Sequence, residues 1–204
     1  MVALLTGGVV IGGDVFLSGC KTGAKGDVGF TPSHMALLDE VGETIIPATK
    51  TPGAKAAKVG EFMKIMVSDC YTEKQQTAFT KGISDLEAAC KKVTGKSFMD
   101  CTPQERHDFL VGLEKEAKTY NTKRDEADKP KKEALKEANS KLPWKDQKEF
   151  EDATSHYYTM IKQLTLFGFF SSKTGMTETL RHIPVPGRYD GAYPYAKGDK
   201  AWAE

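Results

Sequence analysis

Helix punctuation at three points limits what this chain can build. Thr31-Pro32-Ser33, Thr72 with Gln75, and Thr102-Pro103-Gln104-Glu105 each put a capping residue ahead of an apolar pattern. A Thr side chain can accept from the N–H three residues on, and a proline at the first helical position loses no hydrogen bond. Behind the first signal, Leu37, Leu38, Val41 and Ile45 recur at helical spacing until Pro47, predicting a helix over about 33–46. Behind the second come Phe79, Ile83, Leu86, Ala89 and Cys90, closed by Gly95; behind the third come Phe109, Leu110 and Leu113, running toward Tyr120. A turn at 48–53 separates the first helix from another marked by Val59, Phe62, Met63, Met66 and Val67 and ending near Cys70-Tyr71. No alternating strand pattern competes. The expected fold is all-α, a small bundle of about five helices with an extended C-terminal arm.

The fifth helix, expected over 150–170, is apolar on nearly every side, with Tyr157, Tyr158, Met160, Ile161, Leu164, Leu166, Phe167, Phe169 and Phe170. Such a helix is either the centre of the bundle or is covered by another subunit. Before it, 121–141 is mostly Lys, Glu, Asp and Ala, interrupted by Pro130. That insertion reads as a projecting charged helical hairpin or a partly ordered loop, a solvated feature without chemistry. After Thr177, prolines, glycines and aromatic residues forbid a helix and suggest an arm that lies on something, a partner or the chain's own bundle. The divisions are therefore a signal-like segment at 1–19, a linker at 20–31, a helical domain at 32–172 and a docking arm at 173–204.

At the start, a glycine-rich apolar run closes in Leu17-Ser18-Gly19-Cys20, which resembles a bacterial lipoprotein cleavage box. Cys20 is then the lipidated residue and the periplasmic side of a bacterial membrane the location. The run is shorter than the roughly 20 apolar residues of a membrane span, and Asp14 inside it would be costly in hydrocarbon. It reads as a targeting segment, although no Lys or Arg precedes Leu4.

A formal net charge of +1 argues against a nucleic-acid binder. Cys20, Cys70, Cys90 and Cys101 contain no Cys-x-x-Cys pair, so zinc, dithiol and c-type haem signals are missing. Cys90 and Cys101 flank the linker containing Gly95 and could be a local disulfide in an oxidising compartment, or two buried free thiols. His34, His107, His156 and His182 have no partner histidine at helical spacing. His156, before two tyrosines, is the one that could face a partner's site. Asp39 and Glu43 share a helix face but lack the apolar pocket that would make an acid/base couple. Gly7-Gly8 and Gly12-Gly13 have no βαβ unit around them. No catalytic set, metal site or cofactor site is expected in this chain.

Two longer motifs carry a resemblance. Leu37-Leu38-Asp39-Glu40-Val41-Gly42-Glu43-Thr44-Ile45-Ile46-Pro47-Ala48-Thr49 continues through Thr51-Pro52-Gly53-Ala54-Lys55-Ala56-Ala57 to Asp69-Cys70-Tyr71. Leu164-Thr165-Leu166-Phe167-Gly168-Phe169-Phe170 is followed by Thr174-Gly175 and by Pro184-Val185-Pro186-Gly187-Arg188-Tyr189-Asp190-Gly191. Both resemble the family called gluconate 2-dehydrogenase subunit 3, over about 33–202 apart from the insertion. The resemblance implies a non-catalytic small subunit of a flavin-dependent sugar, sugar-acid or glycoside dehydrogenase. The large subunit would hold FAD, a cytochrome c subunit could take the electrons, and the small subunit would support folding and export. Such members commonly supply a twin-arginine signal, and this sequence has no Arg-Arg pair before Leu4. The residues expected at the partner interface are Phe167, Phe169, Phe170, Arg181, Pro184, Pro186, Arg188, Tyr189 and Asp190. The competing readings are a free-standing lipid-anchored helical binding protein and, more weakly, an enzyme using His156 and the carboxylates.

Overall fold

Each helix begins where the sequence offers an acceptor to its unpaired N–H groups. The computed structural model describes residues 28–185, 187 and 190–203. The signal-like segment, Cys20, Pro186, Arg188 and Tyr189 lie outside the described residues. In α1 (Pro32–Ile45), Thr31 Oγ1 accepts from the His34 N–H at 3.2 Å, and His34 Nδ1 accepts from the Thr31 N–H at 3.4 Å. Helix α3 (Glu73–Thr94) opens on the reciprocal Thr72–Gln75 box and ends at Gly95, whose φ of 78° is the left-handed conformation favoured at helix ends. Helix α4 (Pro103–Ser140) opens on Thr102 and Glu105, whose carboxylate is pushed down to about 2 by the Lys96 ammonium and the Thr102 N–H.

Helix α2 (Val59–Cys70) has no such cap of its own, since Lys58 sits at φ 53° without a side-chain bond. Its start is held from α1 instead: Asp39 Oδ1 accepts from the Gly60 N–H at 2.8 Å. The approach is close enough that a β-carbon at position 60 would lie 2.5 Å from the Met35 carbonyl oxygen. Glycine is required there by space.

The fifth helix, α5 (Tyr157–Ser171), packs against all four others, so the structure is an all-α bundle with the most apolar helix at its centre. Tyr158, Met160, Ile161, Leu164, Thr165, Gly168 and Phe169 are buried along it. It starts at Tyr157, not at residue 150, because His156 supplies the cap: its Nδ1 accepts from the Tyr158 N–H at 3.3 Å.

Residues 147–156 are not helical. They run back along α4, which continues as one helix through Pro130 to Ser140. The charged insertion is thus neither a pair of helices nor a loop. It is a spike, helix on one side and return segment on the other, turned by Leu142-Pro143 and the short 3₁₀ turn Trp144–Asp146. Lys, Glu and Ala favour helix strongly enough to carry the chain past a proline that lacks an N–H. A polar ladder holds the return segment, through Asn121–His156, Arg124–Ser155, Asp128–Ala153, Lys132–Asp152 and Asn139–Lys148.

Candidate docking surface

Helix α5 has more apolar residues than the bundle can cover. Leu166, Phe167 and Phe170 are 39%, 54% and 41% exposed and lie on one face, being spaced one and four residues apart. Phe169, expected among them, is fully buried. Two residues from Phe167 is about 200° around a helix, so the two rings point to opposite sides. Phe62 of α2 meets Phe167 edge-on, with ring centroids 5.5 Å apart, and lies over Gly168 where a β-carbon would come within 2.6 Å of its ring. One turn along α2, Ile65 is 59% exposed. The result is a shallow apolar face on an otherwise charged molecule.

The arm follows α5 through a single π-turn, Gly175–Thr179. Its two ends meet each other. The Arg181 N–H donates to the Ala201 carbonyl at 2.8 Å, and the Ala203 N–H donates to the Arg181 carbonyl at 3.0 Å. The Arg181 guanidinium lies 4.7 Å from the Trp202 ring centre and 5.4 Å from that of Tyr193, and those two rings meet edge-on. Cation–π contacts of this kind favour arginine. Arg181 is therefore the clasp of a loop. That loop exposes Ile183, Pro184, Val185 and Tyr195, together with Asp190, whose Oδ1 accepts from the Ala192 N–H at 3.2 Å.

Two carboxylates of the first motif, Asp39 and Glu43, hold backbone, and the third, Glu40, holds two cations. Glu43 accepts from the Ala48 and Lys55 N–H groups at 2.8 and 2.9 Å. Asp39 is taken up by Gly60, and burial raises its pKa despite that bond. Glu40 bonds Lys55 at 2.5 Å and also Arg106. Burial would raise the Glu40 pKa, but the two cations outweigh it and hold the group below the ordinary range. Arg106 in turn donates to the Phe98 and Met99 carbonyls, joining α1 to the foot of α4.

His156 is likewise structural. Its ring is buried, with Tyr157 4.3 Å and Tyr120 5.4 Å away, and desolvation lowers its pKa, so it stays a neutral acceptor for its helix. Cys90 and Cys101 are buried free thiols with Sγ atoms 3.8 Å apart, while Cys70 is exposed. Among the described residues no three His, Cys, Asp or Glu side chains gather as a metal site, and no helix is long and apolar enough to cross a membrane.

Sequence reasoning did not find Arg106, Asn121 or Asp128. Their partners stand 66, 35 and 25 residues away, across turns no local pattern announces. Leu166 was visible as apolar, but its exposure was not.

The model of the gluconate 2-dehydrogenase subunit 3 family matches residues 32–187, from the first residue of α1 into the arm. The chain belongs to that family. The match takes in the α1–α2 motif and the whole of α5, and it runs through the charged spike as well. Within the match, Asp39 ties α1 to the start of α2, Glu43 ties it to Ala48 and Lys55 in the intervening turn, and Glu40 ties it to Lys55 and Arg106. No curated protein and no solved structure gives a significant match.

Proposed function

We propose that this chain is the non-catalytic small subunit of a membrane-anchored, flavin-dependent sugar or sugar-acid dehydrogenase. The observation that carries the reading is the uncovered apolar face of α5, within a chain whose family description names a subunit of a dehydrogenase. A bundle with a complete core does not need Leu166, Phe167 and Phe170 on its outside, and aromatic residues are enriched where protein partners bind. In this proposal the large subunit carries FAD and oxidises the substrate, and a cytochrome c subunit can receive the electrons. The α5 face and the clasped arm dock on the large subunit. The segment at 1–19 directs export, and Cys20 bears the lipid that holds the complex on the periplasmic side. Cys90 and Cys101, in that oxidising compartment, join as a disulfide.

The test is purification through this chain from its native host, with an absorption spectrum of the proteins that come with it. A stoichiometric complex with a flavin spectrum supports the proposal. The paired variant Phe167→Glu, Phe170→Glu should then retain helical circular dichroism and lose the flavoprotein. Each aromatic anchor is worth about 2 kcal/mol or more at such interfaces. Truncation after Thr179 should release it as well. A monomer that purifies alone, or a complex untouched by both variants, would overturn the docking surface.

A further inference from the structure

The spike ends in the most exposed large hydrophobic side chain among those described, Trp144 at 86%, next to Leu142 at 42%. Twenty residues of helix beyond Tyr120 place that tip roughly 30 Å from the bundle. The tip is built, not frayed. Asn139 exchanges hydrogen bonds with Lys148 in both directions, at 2.7 and 3.0 Å, and Gln147 Nε2 donates to the Asn139 and Leu142 carbonyls at 3.3 and 3.2 Å. These bonds fix the turn while leaving the indole in solvent.

The charge around it is one-sided. Residues 129–148 contain seven lysines and three acidic residues, a formal +4 in a chain whose total is +1. The spike as a whole, 121–156, balances nine basic against nine acidic residues, so the positive excess is gathered at its outer end. Lys141 and Lys145 directly flank the Leu142-Pro143-Trp144 tip.

We propose that this tip is a lipid-contact element, which places Trp144 and Leu142 at the headgroup level of an anionic bilayer. Tryptophan suits that boundary, since its ring is apolar and its N–H can stay wet. Lysines around it gain from an anionic surface, each roughly fivefold in affinity close to the headgroups. A protein partner fits less well, because lysine is depleted in protein–protein interfaces. The contact would orient the bundle by a second point of attachment, independent of Cys20 and of the α5 face.

The full chain, purified without lipid, is mixed with vesicles of phosphatidylcholine alone or with added phosphatidylglycerol, and bound protein is sedimented. Binding is expected for the anionic vesicles, weakening at high salt as the charges are screened. Trp144→Ser should lose roughly tenfold or more, the order expected for one large apolar side chain. The double variant Lys141→Glu, Lys145→Glu should lose binding to anionic vesicles further. The blue shift of tryptophan emission on binding should persist in Trp202→Phe and vanish in Trp144→Phe. No binding, equal binding to both vesicles, or binding unchanged in Trp144→Ser overturns the assignment, and each leaves the flavoprotein docking test untouched. Loss of the flavoprotein in Trp144→Ser without any change on vesicles assigns the tip to protein contact instead.

Discussion

Helix α4 is held in place in two unlike ways along its length. Its first half buries Phe109, Leu110, Leu113 and Ala117 against the bundle, whereas in its second half Asp128 alone is buried among the described residues. The first half is fixed by apolar area removed from water, the second by a ladder of hydrogen bonds and ion pairs to 147–156. Exposed ion pairs are worth little each. The outer half therefore adds reach to the molecule and little to its stability, and the two halves should respond to substitution very differently.

The largest contrast is between two leucines of the same helix. Leu113→Ala removes a side chain 3% exposed and leaves a cavity, at a cost of about 2–5 kcal/mol. For a chain of this size that lowers the melting temperature by roughly 5–15 °C. Leu135→Ala, in the outer half, should cost under about 1 kcal/mol. Thermal unfolding by circular dichroism compares them, and equal losses would mean that the spike unfolds together with the core.

A second contrast concerns the foot of the inner half. Cys90 of α3 and Cys101 before α4 have Sγ atoms 3.8 Å apart, and burial pushes the Cys90 thiol up to about 11. A thiol so seldom ionised exchanges slowly once buried, so the proposed disulfide would form during folding and not act as a switch. Refolding in glutathione buffer should transfer two electrons and two protons to oxidised glutathione, leaving one protein disulfide and two reduced glutathiones. The bond should add about 2–3 kcal/mol, or roughly 5–10 °C. Peptide mapping must find Cys90 linked to Cys101 and Cys70 free. Two alkylatable thiols at those positions after refolding would refute the pairing.

How far the sequence announced these elements follows the same division. Helices α1, α3 and α4 were legible at their starts because Thr31, Thr72 and Thr102 act locally, through bonds spanning three residues. That α5 is buried on more than one face was legible from its apolar residues on every side, which left the bundle centre and a subunit interface both open. What could not be read was long-range and polar: Asp39 capping α2, Glu40 meeting Arg106, and residues 147–156 choosing the ladder over a helix. Phe169 failed as an interface residue for a simpler reason, since an all-apolar helix does not reveal which side is left uncovered. The arm's density of aromatic residues was plain, but the clasp between Arg181 and Trp202 joins residues too far apart to be paired by spacing.

His156 stands where the two halves of α4 meet, with its backbone N–H on Asn121 and its ring beside Tyr120 and Tyr157. Glu116 and Asp85 act to raise its pKa, but desolvation wins and lowers it. Because the folded value is depressed, its contribution is full above the ordinary histidine value of about 6.5 and is lost as pH falls through the folded value. Protonation also removes the acceptor that caps α5. The melting temperature should therefore fall as pH drops below about 6.5, before carboxylates such as Glu40 begin to titrate. His156→Asn keeps a capping acceptor that does not titrate, so its profile should be flatter over that window. An identical slope in both proteins would remove His156 from the account.

The smallest expected effect is the most direct test of the division. Residues Asp128 and Ala153 are joined by a 3.2 Å hydrogen bond across the spike, so the chain between them can be replaced by a short Gly-Ser link without stretching what remains. If the outer half contributes only reach, the shortened protein should melt within about 3 °C of the parent, since no core residue has been touched. Its two-state unfolding should remain intact, because the cooperative unit is the bundle around α5. Hydrogen exchange on the parent gives the complementary reading: amides of 129–140 should exchange far faster than those of 109–117, as expected for helix with few buried apolar contacts. A large drop in melting temperature, or equal protection along the whole helix, would show that α4 is one mechanical element whose outer half stiffens the inner.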